Sequence, residues 1–229
     1  MGESLLISIS GETTELETRY NPPIELSPEK NYALGLKGLL SFNSIPNIDE
    51  KNNKFHFDTR EIEIPTGSYE IEDIEKYLVD TLKSYGISFS LKPNNNTLQS
   101  EIECSTEIDF EKVNSIGKLL GFTPKKLPPN KKHTSDLPVS ILKINTLRVE
   151  CNITTGAYFN NQKVHTIHEF FPAVPPGYRI IEIPHQVIYL PVRVKSIENI
   201  QIRIVDQDGE SVNLRGETIT VILHIQEIK

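Results

Sequence analysis

Apolar and polar residues alternate most regularly in the last third of the chain. Ile200, Ile202 and Ile204 alternate with polar residues, and a second run follows the sequence Asp208-Gly209. The apolar members of the second run are Ile219, Val221, Leu223 and Ile225. Alternation with a period of two indicates strands with one buried face, and Asp-Gly between two such runs indicates a turn. The region is therefore predicted to be an antiparallel β-sandwich.

A helical pattern occurs near the middle of the chain. Its apolar positions, spaced as on one side of a helix, are Ile71, Ile74, Leu78 and Leu82. Glu70, Glu72 and Asp73 precede or begin this run, where the helix dipole favours negative charge. Gly86 follows it as a stop signal. The pattern predicts one amphipathic helix between Gly67 and Gly86.

Sequence texture divides the chain into four segments. Residues 1–66 are predicted to hold an N-terminal arm and the first strands of the sandwich, with the arm marked by Pro22, Pro23 and Pro28. Residues 67–122 are predicted to form an inserted α+β region of helix, hairpin and a second short helix over 113–122. Residues 123–140 are a loop rich in proline and lysine, and residues 141–229 supply the remaining strands. The predicted fold is thus mainly β, one sandwich domain with an insertion.

The net charge of −7 argues against a protein whose whole surface binds nucleic acid, although it allows a local basic patch. Four lysines in the loop form such a patch: Lys125, Lys126, Lys131 and Lys132. A solvated loop is the favoured interpretation. A weak contact with packaged nucleic acid is the alternative, because lysines bind phosphate without sequence preference.

The cysteine content and the apolar runs bear on the compartment. Cys104 and Cys151 are too few for a disulfide framework, which suits folding in a reducing compartment inside the cell. No stretch approaches the roughly 20 apolar residues of a membrane span. The first residues lack the basic and apolar segments of a signal peptide, so we expect no export and no membrane contact.

His165, His168 and Glu169 form the cluster most suggestive of a metal site. Metal sites of the cupin type use two histidines and a glutamate, but their histidines are two residues apart, so that both point to the same side of a strand. A spacing of three sends them to opposite faces, and the isolated His185 completes no obvious set. We predict strand and loop residues here and no metal ligand.

Asp206, Asp208, Gly209 and Glu217 faintly resemble a calcium loop. An EF-hand has its glycine at the sixth position and helices on both sides; here the glycine is fourth and the flanks are strands. A turn is the favoured interpretation. Phosphate-binding, nucleophile-elbow and zinc-protease motifs are also absent from the sequence. We therefore predict no enzyme, with no catalytic, cofactor-binding or metal-binding residue and no cofactor.

Several phrases, in their order, resemble a known family. They are IPTGSYEIEDIEKYL (64–78), SIGKLLGF (115–122), HTIHEFFPAVPPGYRIIEIP (165–184) and IQIRIVDQDGESVNLRGETITVILHI (200–225). Together they resemble the minor capsid, or penton, protein of Polintons, also called Mavericks, which are virus-like DNA transposons related to virophages and adenoviruses. The resemblance runs from about Tyr20 onward. It rests on these phrases and on no active-site signature.

The resemblance implies a single jelly roll that assembles as a homopentamer at the five-fold vertices of an icosahedral capsid. A separate double jelly-roll major capsid protein would tile the faces, and the protein would reside in the virion. Adenovirus penton bases carry an RGD loop, whereas this chain has only Leu214-Arg215-Gly216-Glu217, so integrin binding is not expected. We predict ring contacts through edge strands and rigid proline-flanked loops such as residues 172–177, since such loops lose little entropy on docking.

Two other functions stay open at this stage. A β-sandwich could bind a ligand or glycan as an attachment module, which would require a pocket of aromatic and carboxylate side chains on a sandwich face. A cupin-type metalloenzyme is less favoured, because only His165 and His168 support it.

Overall fold

The chain forms a sandwich of two sheets, with a second unit inserted between two of the sandwich strands. The computed structural model describes residues 3–141 and 144–228. The sandwich consists of the residues up to Ile45 and from Ile144 onward, and the inserted unit begins at Pro46.

The elements in chain order are β1 (Ser4–Gly11), β2 (Glu15–Glu25), β3 (Asn31–Phe42), β4 (Lys54–Phe57), β5 (Arg60–Glu63), α1 (Ile71–Lys83), β6 (Phe89–Asn94), β7 (Gln99–Cys104), β8 (Ile108–Asp109), a 3₁₀ helix (Ile116–Lys118), β9 (Lys126–Leu127), β10 (Lys131–Thr134), β11 (Leu147–Cys151), β12 (Ala157–Phe159), β13 (Gln162–Val164), β14 (Thr166–Phe170), β15 (Arg179–Glu182), β16 (Leu190–Pro191), β17 (Ser196–Val205) and β18 (Ile219–Ile228).

The strands of the sandwich alternate between two antiparallel sheets. The first sheet has the order β1–β18–β3–β15, with β16 also paired to β3, and the second has the order β14–β11–β17–β2. The chain changes sheet from β1 to β2 and from β2 to β3, and it changes again from β14 to β15 and from β17 to β18. Two packed sheets wound in this way form a jelly roll. This confirms the predicted fold class, a mainly β protein built on a single jelly roll.

The core of the sandwich lies between the two sheets. The alternating isoleucines of β17 and the apolar positions of β18 are fully or almost fully buried: Ile200, Ile202, Ile204, Ile219, Val221, Leu223 and Ile225. Their polar neighbours, such as Gln201 and Arg203, face outward. The two-residue period predicted from the sequence is therefore the period of burial.

The segment predicted as an N-terminal arm forms strands β1 and β2. Pro22 and Pro23 lie within β2, which is an edge strand of the second sheet. Proline has no N–H to donate to a neighbouring strand, and an edge strand tolerates this because one of its sides has no neighbouring strand. Pairing between β2 and β17 shifts register between Ile197 and Asn199, opposite the proline segment. The prolines mark an irregular edge and not a separate arm.

The inserted unit has its own apolar core around α1. The helix buries Ile71, Ile74, Leu78 and Leu82. Glu70 caps it in a capping box with Asp73, and Glu72 and Asp73 lie in the first turn, as predicted. Strands β6 and β7 form the predicted hairpin, and β10 pairs with β7. A second small sheet has the order β5–β4–β8–β9. Among the described residues, no helix is both long and apolar enough to cross a bilayer.

The bounds of the insertion differ from the segments predicted from the sequence. Strands β4 and β5, placed among the first sandwich strands, belong to the inserted unit, which begins at Pro46. The buried rings of Phe55 and Phe57 pack within its core. The segment 123–140 contains β9 and β10, which pair with strands of this unit and are therefore not a free loop.

The second predicted helix, over 113–122, is reduced to a 3₁₀ turn at Ile116–Lys118. A Cβ built on Gly117 would lie 2.6 Å from the ring of Phe110, so this segment lies directly against the aromatic core. Gly121 has a φ of +84°, which is outside helical geometry and ends the turn.

Candidate assembly surface

The structure separates the histidines of the suspected metal cluster. The His165 ring lies 2.8 Å from the carbonyl oxygen of Thr154 through Nδ1. The His168 ring lies 2.8 Å from Glu182 Oε1 through Nε2, which links β14 of the second sheet to β15 of the first. Glu169 is exposed on the other side of β14. Within residues 3–141 and 144–228, no group of three or more potential ligands could hold a metal ion.

Asp206 organises the turn that the sequence predicts after β17. Its Oδ1 accepts hydrogen bonds from the backbone N–H groups of Asp208 and Glu210, at 2.9 and 3.0 Å. Gly209 adopts a φ of +85° in the same turn. Glu217 lies in a separate turn, where its N–H donates to the Leu214 carbonyl. These contacts are those of a hydrogen-bonded turn.

The four lysines of the basic patch lie on or beside β9 and β10. Three of them form ion pairs: Lys125 with Asp136 at 2.7 Å, Lys126 with Glu107 at 3.3 Å, and Lys132 with Glu101 at 2.6 Å. The carboxylates neutralise much of the local charge. A contact of this patch with DNA stays a prediction, and these pairs would weaken it.

One of these pairs predicts an acid-sensitive contribution to stability. Lys125, together with the N–H and hydroxyl of Thr123, lowers the pKa of Asp136 from 3.8 to about 2. Because the folded pKa lies below the unfolded one, the stabilisation is present above pH 4 and is lost as the pH falls towards 2. We expect Asp136→Asn to lower the melting temperature at pH 6. Near pH 2 the melting temperatures of the variant and the parent should be closer together.

Thermal unfolding followed by circular dichroism between pH 2 and pH 7 measures this effect. Asp80→Asn, in α1, serves as a matched control and should show no such convergence. A constant difference between Asp136→Asn and the parent across the whole pH range would contradict the assignment.

Four paired rows on the outer surface of the first sheet carry no Asp, Glu, Lys or Arg. These rows, across strands β1, β18, β3 and β15, are Ser4–Gln226–Ala33, Leu6–His224–Gly35, Ser8–Ile222–Gly38 and Ser10–Thr220–Leu40–Ile181. We call this surface the uncharged face. The next outward row, Arg179–Phe42, and the exposed Lys37 at the bulge in β3 bring positive charge to its border. The alternative of a ligand- or glycan-binding module stays a prediction.

The outer surface of the second sheet is different in character. Arg203 lies between Glu15 and Glu150, with its Nη1 3.2 Å from Glu150 Oε2. Glu17 pairs with Arg19 at 2.9 Å. A surface covered with ion pairs of this kind is costly to remove from water, whereas an uncharged one is not. Of the two faces, the uncharged face is therefore the one suited to an interface.

Exposed apolar side chains concentrate at the β15 end of the uncharged face. Ile181, on edge strand β15, is 59% exposed and lies directly across from Leu40. Ile183, two residues further on, is 66% exposed. Phe171 and Tyr178, which flank the proline-rich loop 172–177, are also exposed. Apolar side chains exposed together on one edge are typical of a protein–protein contact site.

The loop after β15 folds back over the same face. A Cβ on Gly35 would lie 2.4 Å from Val187 Cγ1, so only glycine permits this close approach. The Tyr189 hydroxyl lies 2.6 Å from His224 Nδ1, and His224 Nε2 lies 2.9 Å from Ser4 Oγ. These hydrogen bonds connect the loop to β18 and β1. The loop holds Ile188 at the surface, adding an exposed apolar side chain beside the face.

The fold resembles that of the mavirus penton protein. The crystal structure of that protein aligns over 99% of this chain and 100% of its own length, with a TM-score of 0.54 and 11% sequence identity. The mavirus penton protein thus matches both the sandwich and the inserted unit, which confirms at the level of fold the resemblance to penton proteins. No family model and no curated protein matches the sequence.

The uncharged face was not predicted from the sequence, although the outward-facing residues of its strands indicate it. Ser8 and Ser10 in β1 alternate with buried isoleucines, and Thr220 and His224 alternate with buried residues in β18. In β17 the corresponding outward residues include Arg203. Comparing the outward residues of each strand, and not only the inward ones, would have separated the two faces.

Proposed function

We propose that this chain is a structural capsid component of the penton type, whose activity is association with copies of itself. The observation that carries the proposal is the uncharged face, with exposed Ile181 and Ile183 at its edge, on a chain with the penton fold. Charged residues make up 24% of the sequence, so four adjacent outward rows without one are unusual. Depletion of charge is the compositional mark of interface cores.

The proposed assembly is a homopentamer at the five-fold vertices of an icosahedral particle. A ring requires a heterologous interface, in which one surface of a subunit meets a different surface of its neighbour. Strand β15 and the loop 172–177 supply one side of this contact. The ring would sit in the virion beside a double jelly-roll major capsid protein, and any contact of Lys125, Lys126, Lys131 and Lys132 with packaged DNA would be weak.

The area of the uncharged face indicates how much additional surface a stable interface would need. Four strands about 4.8 Å apart and eight residues rising about 3.4 Å each cover roughly 14 Å by 27 Å, or roughly 400 Å². A stable interface removes about 800 Å² per partner from water. Ala33 is buried and the loop after β15 lies against Gly35, so the uncharged face supplies at most about half of the contact. The exposed flanks at Phe171, Tyr178, Ile183 and Ile188 are needed for the rest.

Sedimentation velocity and negative-stain microscopy of the purified protein test the proposal. We expect a concentration-dependent species of five subunits and rings with five-fold symmetry. Protein that stays monomeric at the highest soluble concentration, in low and in moderate salt, would overturn it.

A further inference from the structure

A short hairpin covers part of the outer surface of the second sheet. Strands β12 and β13 pair from Ala157–Val164 to Phe159–Gln162. The two turn residues, Asn160 and Asn161, both have positive φ, as a tight two-residue hairpin requires. The hairpin therefore has a defined shape and a fixed register.

Arg148 anchors this hairpin to the sandwich. It faces outward from β11, yet only 3% of its surface is exposed, because the ring of Phe159 lies over the guanidinium at 4.0 Å. Its Nε donates to the Asp206 carbonyl at 3.1 Å, and Nη1 has no hydrogen-bond partner among the described residues. The cation–π contact thus joins the buried guanidinium, which Asp206 holds through Nε, to Phe159 of the hairpin.

Tyr158 points away from this anchor. It alternates with Phe159 along β12 and is 72% exposed, more than any other aromatic side chain of the described residues. Only Lys163 carries charge between Ala157 and Val164. The hairpin is therefore an aromatic, amide-rich projection on a surface that is otherwise covered with ion pairs. Tyrosine is one of the residues most enriched in interface centres.

We infer that this hairpin of one copy docks on the uncharged face of the next copy, with Tyr158 as the anchor. The two surfaces are different, on the outer sides of the two sheets of one sandwich, so their contact is heterologous, as a head-to-tail ring requires. Both surfaces are also poor in charge and carry hydrogen-bonding groups, so the hairpin amides can bond to the hydroxyls of Ser8, Ser10 and Thr220. This inference rests on the proposed self-association and names its second surface.

Disulfide trapping between two single-cysteine variants tests the inference. The native thiols will not interfere, because Cys104 and Cys151 are buried and burial raises the pKa of Cys151 to about 12. Lys163 is exposed and pairs with Tyr158 across the hairpin, so a cysteine there leaves the anchor in place. Lys163→Cys is mixed with Ser8→Cys, or with Leu40→Cys, at a dilution that permits subunit exchange, then concentrated and oxidised. We expect a covalent dimer in each mixture and not in any variant alone. Lys163→Cys mixed with Gln201→Cys, on the charged surface, is the matched control and should give none.

The assembly state of two Tyr158 variants completes the test. We expect Tyr158→Ser to weaken ring formation at least tenfold in sedimentation velocity and Tyr158→Phe to weaken it less. Rings that form normally with Tyr158→Ser, without trapping to Ser8→Cys or Leu40→Cys, would overturn the inference and leave the proposed function standing. A monomeric parent protein would overturn the proposed function itself. Covalent dimers of Lys163→Cys alone would indicate a two-fold contact and overturn the head-to-tail arrangement.

Discussion

Replacing Ile181 by aspartate is expected to leave the protein monomeric at concentrations at which the parent chain forms rings. Ile181 lies on the edge strand β15, 59% exposed and opposite Leu40, so the new carboxylate costs the free subunit little. In the assembled ring the carboxylate would be removed from water against the apolar and hydroxyl groups of the four uncharged rows. Burial of an unpaired charge costs several kcal/mol, so we expect association to weaken by about 100-fold or more. Sedimentation velocity across a concentration series measures the change.

Leu137→Asp is the matched control for this variant. Leu137 is 58% exposed, almost the same as Ile181, but it belongs to the inserted unit. We expect it to retain ring formation, and both variants should keep the far-ultraviolet circular dichroism of the parent. Rings of normal stability with Ile181→Asp would show that the uncharged face is not the contact surface.

Replacing Leu223 by alanine is expected to lower the free energy of unfolding of the sandwich. Leu223 is fully buried in the sandwich core, on β18 between β1 and β3. Truncating it to alanine removes apolar contacts and leaves a cavity, which costs about 2–5 kcal/mol. Leu78→Ala should cost a similar amount in the inserted unit, whose core is a separate cluster. Denaturant unfolding followed by circular dichroism measures both changes.

Leu98→Ala provides the control, because this leucine is 66% exposed. Its effect should stay within about 0.5 kcal/mol. A loss below about 1 kcal/mol for Leu223→Ala would contradict the burial assigned to β18. Native-state hydrogen exchange adds a finer test: Leu223→Ala should accelerate exchange in the sandwich strands more than in α1.

The sequence predicted those strands and helices whose buried side can be recognised from their own residues. The isoleucines of β17 show which side is buried, whatever the neighbouring strand is. The helix α1 is equally self-contained, because its apolar spacing, acidic first turn and terminal glycine all lie within one short segment. Local periodicity is sufficient for such elements.

Features that depend on which strands are neighbours were not predictable in this way. The segment around Phe55 and Phe57 is apolar enough for either unit, and only its pairing with β5 and β8 places it in the insertion. The uncharged face arises because Ser10 and Thr220, 210 positions apart, become neighbours. The anchoring of the hairpin by Arg148 likewise needs the three-dimensional position of Phe159.

The central position of β18 has a consequence for how the chain is made. β18 pairs with β1 on one side and with β3 on the other. During synthesis, the backbone groups of β1 and β3 that bond to β18 therefore stay unpaired until β18 has been made. Open strand edges of that kind invite pairing with other chains. The contiguous inserted unit can fold while the ribosome is still producing β11 to β18. We expect the nascent jelly roll to depend on chaperone protection until its last strand emerges.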